Sequence, residues 1–182
     1  MGKIKSHPPV KLILGMISND TELFNILPKR FEKDFGEIDF ESNIFLFNFT
    51  DYYIEEMGEG LLRKFVSFKR LLENPIEIAN IKIFSNNLED EFSINNKRRI
   101  NLDPGYIEHG KLVLATTKNH QHRIYIGKGI FAEVTLRYRN KTFCKWDWTY
   151  PDYQTNEYIE TFNQIRKIYI NQLYIYKKTN MV

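Results

Sequence analysis

Cysteine is nearly absent from this chain: one residue, Cys144, among 182. A lone thiol closes no internal disulfide, which fits a reducing compartment, and beside Lys145 it reads as a strand residue rather than a nucleophile. No apolar run approaches the roughly 20 residues of a membrane-spanning helix, and the N-terminal stretch has no apolar signal core. These absences lead us to expect a cytoplasmic protein with no membrane association. Reaction signatures are missing as well. There is no G-x-x-x-x-G-K-[ST] loop, which argues against a standard P-loop NTPase, and there is no G-x-S-x-G, H-E-x-x-H or Cys-x-x-Cys. No sequence repeat and no low-complexity segment interrupts the chain.

What is present is 42% hydrophobic and 15% aromatic. A chain of this size buries about 70% of its unfolded surface, so a single domain over residues 1–182 is expected. The net charge of +3 is unevenly spread. Residues 1–96 carry 11 Lys and Arg against 16 Asp and Glu, residues 97–145 carry 11 against 3, and residues 146–182 carry 4 against 4. The basic third raises the local concentration of anions and suggests a phosphate-bearing partner, although a solvated basic hairpin would show the same composition.

Hydrophobic periodicity orders the first part of the chain. "VKLILGMI" (10–17) reads as a buried strand. A helix follows, with Asn19 and Glu22 resembling a capping box and Pro28 expected to kink or split it. "NIFLFNF" (43–49) and "LLRKFVSF" (61–68) read as strands joined by a long connection, "DYYIEEMGEG". Asn74-Pro75 opens a helix over about 75–93, and a strand near 98–102 completes β-α-β-β-α-β. The fold class is therefore α+β, with a ferredoxin-like βαββαβ unit over 10–102. Turn and basic hairpins occupy 103–150, and a long C-terminal helix lies within 151–182, its apolar face spaced over 155–176. Residues 107–118 are ambiguous between helix and strand.

In the first hairpin, Ile126 and Ile130 flank a three-residue Gly127-Lys128-Gly129 loop, which sets Arg123 opposite Glu133 and Ile124 opposite Ala132. Ile124, Val134 and Leu136 should then face the core, with Arg123, Glu133 and Thr135 on the other face. Extending the Asn140-Lys141 turn places Trp146 and Trp148 on that second face. Either Arg123 and Glu133 form an ordinary cross-strand ion pair while the C-terminal helix covers the indoles, or Arg and Trp line a groove for a base and a phosphate.

Candidate site residues cluster in "NLDPGYIEHGKLVLATTKNHQHR". Asp103-Pro104-Gly105 has the composition of a type II turn. Its Asp could cap backbone amides, which would lower its pKa and make it a poor general base. His120-Gln121-His122 has the spacing of two metal ligands on one strand face, with His109, Asp103 or Glu133 as further ligands, but surface histidines show the same pattern. Thr116-Thr117-Lys118 offers two hydroxyls and an ammonium for an anion.

The stretches NLDPGY (101–106) and TTK (116–118), together with "HRIYIGKGIFAEVTL" and "WTYPDY", make nearly the whole chain similar to a prokaryotic family known as domain of unknown function 4416. The resemblance implies a bacterial or archaeal cytosolic protein and brings no activity with it. It does suggest that Asn101, Asp103, Tyr106, Thr116, Thr117 and Lys118 serve more than local geometry. The leading reading is a binding module for a phosphate-bearing ligand, a nucleotide or RNA, that uses these residues with Arg98, Arg99 or Arg123. One alternative is an enzyme on a phosphorylated substrate with Asp103 and a histidine such as His122 as acid and base. The other is a protein-protein interaction domain with an exposed aromatic face.

Overall fold

The computed structural model describes residues 2–180. Its elements run β1 (Val10–Ser18), α1 (Leu23–Phe35), β2 (Ile38–Glu41), β3 (Phe45–Leu46), α2 (Ile54–Met57), β4 (Leu62–Leu72), α3 (Ile78–Glu91), β5 (Asn101–Ile107), β6 (Lys111–Thr116), β7 (Arg123–Gly127), β8 (Ile130–Arg139), β9 (Thr142–Lys145) and α4 (Asn156–Asn180). The strands form one antiparallel sheet in the order β2-β4-β1-β5-β6-β8-β7, with β3 added to β4 and β9 to β8. The protein is thus mixed α+β around a large antiparallel sheet, with a long helix at its C-terminal end.

The unbroken apolar run of β1 has a physical cause: the strand is central and is covered on both faces, so all nine of its positions are buried. Leu12, Leu14 and Met16 pack with Phe24, Leu27 and Phe31 of α1 and with Ile78, Ile81 and Leu88 of α3. Ile13, between them in sequence, faces the opposite layer, where Phe65 and Leu112 meet Tyr158, Phe162 and Tyr169 of α4.

Several local expectations give way to this packing. α1 runs unbroken through Pro28, which is buried among its apolar neighbours, so the proline does not split the helix. Asn19 does not cap α1; its amide donates to the Met57 carbonyl at 2.8 Å. Of residues 43–49 only Phe45–Leu46 pair as a strand, and the expected second strand is shared with β2, whose four residues alternate too briefly to announce themselves. Residues 111–116 are strand, which settles the ambiguous segment.

The largest correction concerns Asp103-Pro104-Gly105. It is no turn but the middle of β5, paired with β1 from Asn101 to Ile107. Turn composition was overridden by a central place in the sheet.

In the β7–β8 hairpin Arg123 does oppose Glu133, and Ile124 opposes Ala132. The loop itself holds two residues, Lys128 and Gly129, both at positive φ, and an irregularity between Tyr125 and Gly127 takes up the difference. Ile124 does not point into the core; it is 71% exposed, because β7 is the edge strand and the cover over Ile126 and Ile130 stops short of it. The β8–β9 ladder ends at Leu136 and Lys145, so the tryptophans lie beyond it, in a turn closed by Thr149 N donating to Trp146 O. Trp148 is left 39% exposed.

Candidate functional site

The sheet opens where β5 and β6 part. Ile107, Tyr106 and Gly105 pair with Leu112, Val113 and Leu114, and the ladder then stops. Gly105 permits the close approach, since a Cβ there would stand 2.4 Å from the Val113 carbonyl oxygen. Pro104, next in line, has no N–H with which to extend a ladder. Beyond it Asp103 and Thr116 line a cleft of about 470 Å³.

Arg63 of β4 anchors the cleft floor. Its side chain is 1% exposed, yet Nη1 donates to Asp103 Oδ2 at 2.8 Å and Nη2 to the Tyr153 hydroxyl at 2.6 Å, with Asp152 Oδ2 3.8 Å away. The guanidinium lies 4.9 Å from the Phe65 ring centroid and 5.2 Å from that of Tyr153. Gly15, the glycine within the apolar run of β1, sits between Phe65 and Asp103 in the ladder. A Cβ there would approach Phe65 Cε1 to 3.1 Å and Arg63 Nη2 to 3.3 Å, so the glycine makes room for the cation.

The two floor carboxylates differ. Burial pushes Asp103 up, but Arg63 and Lys82 together outweigh it and hold the carboxyl below its ordinary range. At Asp152 burial prevails over the same arginine and raises the carboxyl. Burial likewise raises the phenol of Tyr153. One cleft therefore contains a carboxylate held ionised and a carboxyl held toward its neutral form.

The wall is aromatic and comes from the stretch between β3 and α2, which contributes Phe47, Phe49, Tyr52 and Tyr53. The wall opposite is set by the Arg123–Glu133 pair, whose side chains are both 2% exposed. Arg123 Nε donates to Glu133 Oε2 at 2.8 Å, Nη1 to the Lys118 carbonyl at 2.9 Å, and Nη2 to the Tyr150 hydroxyl. The expected cross-strand pair is thus a buried clamp that fastens the Lys118 loop to the sheet.

A smaller polar recess of about 130 Å³ adjoins the cleft and shares Tyr52, Tyr53, Asp103, Thr116 and Lys118 with it. Lys82 Nζ donates to the Leu102 carbonyl at 2.6 Å, and Arg98 is held by Glu56 at 2.7 Å and Glu89 at 3.1 Å. Asn101 is buried; its Oδ1 accepts from Arg98 Nη1 at 3.2 Å, and its amide helps to hold the Asp103 carboxyl down.

Of the residues singled out from sequence, Asp103, Thr116, Lys118, His120 and Arg123 line the cleft, while Asn101, Thr117 and Arg98 line the recess. Four lie elsewhere. Tyr106 packs against the α1/α3 core, Arg99 pairs with Asp20, and His122 contacts Glu133 at 3.2 Å. His109 is exposed beyond β5, where its carbonyl accepts from Arg166. Among the described residues no group of three His, Cys, Asp or Glu side chains is placed to hold a metal ion, and His120 and His122 stack on each other instead of converging.

Sequence reasoning missed Arg63, Asp152, Tyr153 and the aromatic wall. Two cations inside "LLRKFVSF" were the available signal, because a strand that apolar seldom carries Arg at its centre without buried partners. The charge of residues 97–145 also changes meaning in space: Arg98 and Arg99 meet Glu56 and Asp20 of the acidic first half. Arg63, Lys118 and Arg123 balance Asp103, Glu133 and Asp152 around the cleft. Lys118 has no carboxylate partner among the described residues; its Nζ lies 4.1 Å from the Tyr52 ring centroid.

Fold and site together define a class: an antiparallel α+β protein with an aromatic-walled, charge-balanced cleft where its central hairpin splays. Within that class the chain matches, over residues 8–169, the family model described as "Domain of unknown function (DUF4416)", and it belongs to that family. No curated protein and no solved structure matches it. No helix among the described residues is long and apolar enough to cross a membrane.

Proposed function

We propose that the cleft binds a small ligand joining a planar ring to a phosphate, that is, a mononucleotide. The observation that carries this is the place of Lys118: an ammonium with no carboxylate partner among the described residues, over the Tyr52 ring where the aromatic cleft meets the polar recess. The ring would occupy the aromatic side and the phosphate the side of Lys118, Thr116 and Thr117. The cleft volume lies in the range of small-molecule sites. A small ligand suits it better than an RNA strand, because its other cations are already paired and would not neutralise a run of phosphates.

Calorimetry with nucleoside monophosphates at low and high salt tests the reading. Affinity should fall as salt rises, since exposed charges are screened beyond roughly 8 Å at physiological ionic strength. No binding at low salt would end it. Catalysis in the same cleft is a second reading, favoured by the opposite displacement of Asp103 and Asp152, the division of labour that acid-base chemistry uses. It predicts slow consumption of the bound nucleotide, with His120 the histidine that shares the cleft. The scaffold we read as one domain built on a split βαβ unit. The antiparallel order β2-β4-β1-β5, with α1 and α3 as its two helices, supports that reading.

A further inference from the structure

A column of four rings ends in the cleft. His120 lies parallel to His122 (centroids 5.9 Å apart, planes at 2°), His122 to Trp148 (5.5 Å, 13°), and Trp148 to Trp146 (5.1 Å, 8°). The Arg137 guanidinium, 4.3 Å from the Trp146 centroid, closes the far end. The two inner rings are held from the side: His122 Nε2 contacts Glu133 Oε2 at 3.2 Å, and Trp148 Nε1 donates to the Val134 carbonyl at 3.0 Å; the backbone amide of Trp146 donates to Thr149 Oγ1 at 2.8 Å. The other end is open. His120 is exposed, its ring makes no hydrogen bond among the described residues, and it lines the cleft two residues from Lys118.

We infer, resting on the nucleotide reading above, that this column is a stacking platform and that the ligand's base lies on the open face of His120. Parallel offset rings attract through dispersion and quadrupole alignment, and a ring already held in a stack loses little freedom when another is added. Every base presents a π-face, so such a platform selects for a flat ring rather than for one base. His120 is then the residue that separates a nucleotide from a sugar phosphate, while Lys118 takes the phosphate common to both.

The test is calorimetry with adenosine monophosphate, uridine monophosphate and ribose 5-phosphate. Stacking of this kind should make both nucleotides bind about five- to hundredfold more tightly than the sugar phosphate. His120→Ala should bring the nucleotides down to the sugar phosphate's affinity and leave the latter unchanged, and His120→Phe should restore the difference. Both tryptophans of the chain belong to the column, so nucleotides, and not ribose 5-phosphate, should shift the intrinsic emission. Unchanged nucleotide affinity in folded His120→Ala, or equal affinity for ring-bearing and ringless ligands, overturns the platform while phosphate binding stands. Failure of all three to bind overturns both readings.

Discussion

The floor and the rim of the cleft are built on opposite plans. At the floor every charge has a partner: Arg63 is nearly inaccessible, with Nη1 donating to Asp103 and Nη2 to Tyr153, and Asp152 close by. At the rim Lys118 and His120 are exposed, with an ammonium and an imidazole that meet only ring faces. Charges at the floor are tied to one another, so they shape the cleft. Groups at the rim keep their hydration until something arrives, so an incoming ligand's interactions are made there. Loss of a floor residue should therefore appear as instability, and loss of a rim residue as weaker binding.

Substitutions can break that division, and the largest effect belongs to Arg63→Ala. It leaves two carboxyls facing one another without their cation, and urea denaturation should show a loss of about 3–5 kcal/mol; a loss below about 1 kcal/mol would mean that the floor is solvated after all. Gly105→Ala comes next, with about 1–3 kcal/mol of destabilisation by the same measurement, because the Val113 carbonyl it would strike is backbone.

The pH dependence of stability sharpens the comparison within the floor. Asp103 has its folded pKa below the unfolded value, so its contribution is present above the ordinary carboxylate range and lost as pH falls through the folded pKa. Asp152, raised by burial, contributes in the opposite sense: its share is present at low pH and lost as pH rises through its folded pKa. Denaturation curves over roughly pH 2 to 7, on either side of about 3.9 for a free Asp, should show the acid-side loss flattened in Asp103→Asn and steepened in Asp152→Asn. The smallest stability effect is expected for Lys118→Ala, within about 0.5 kcal/mol of the parent, although nucleotide binding at low salt should weaken severalfold.

Elements whose pattern agrees with their final surroundings were legible from sequence. The apolar run of β1, the Asn74-Pro75 start before α3, the stripe of α4 and the Arg123–Glu133 register belong to this group. Asp103-Pro104-Gly105 misled because each of its residues suits a turn locally, while the sheet needed a carboxylate for Arg63, an end to the β5–β6 ladder and a residue without a side chain. Part of the site could be anticipated from Thr116, Lys118 and Asp103, which do share the cleft. Of its other half only Arg63 left a signal, as a cation inside an apolar strand; Asp152 and the 47–53 wall are brought to the cleft by the packing of distant segments, which no local period records.

The central place of β1 has a consequence for how the molecule is made. Of the strands of this sheet it leaves the ribosome first, yet its partners are β4 and β5, the second ending at Ile107. At a synthesis rate of about 5–20 residues per second, roughly 5–20 s separate the appearance of β1 from that of its last partner. Through that interval a nascent chain carries its most apolar strand with unpaired edges. Synthesis, more than the finished sheet, is therefore when the edges of this strand stand open to pairing with another chain.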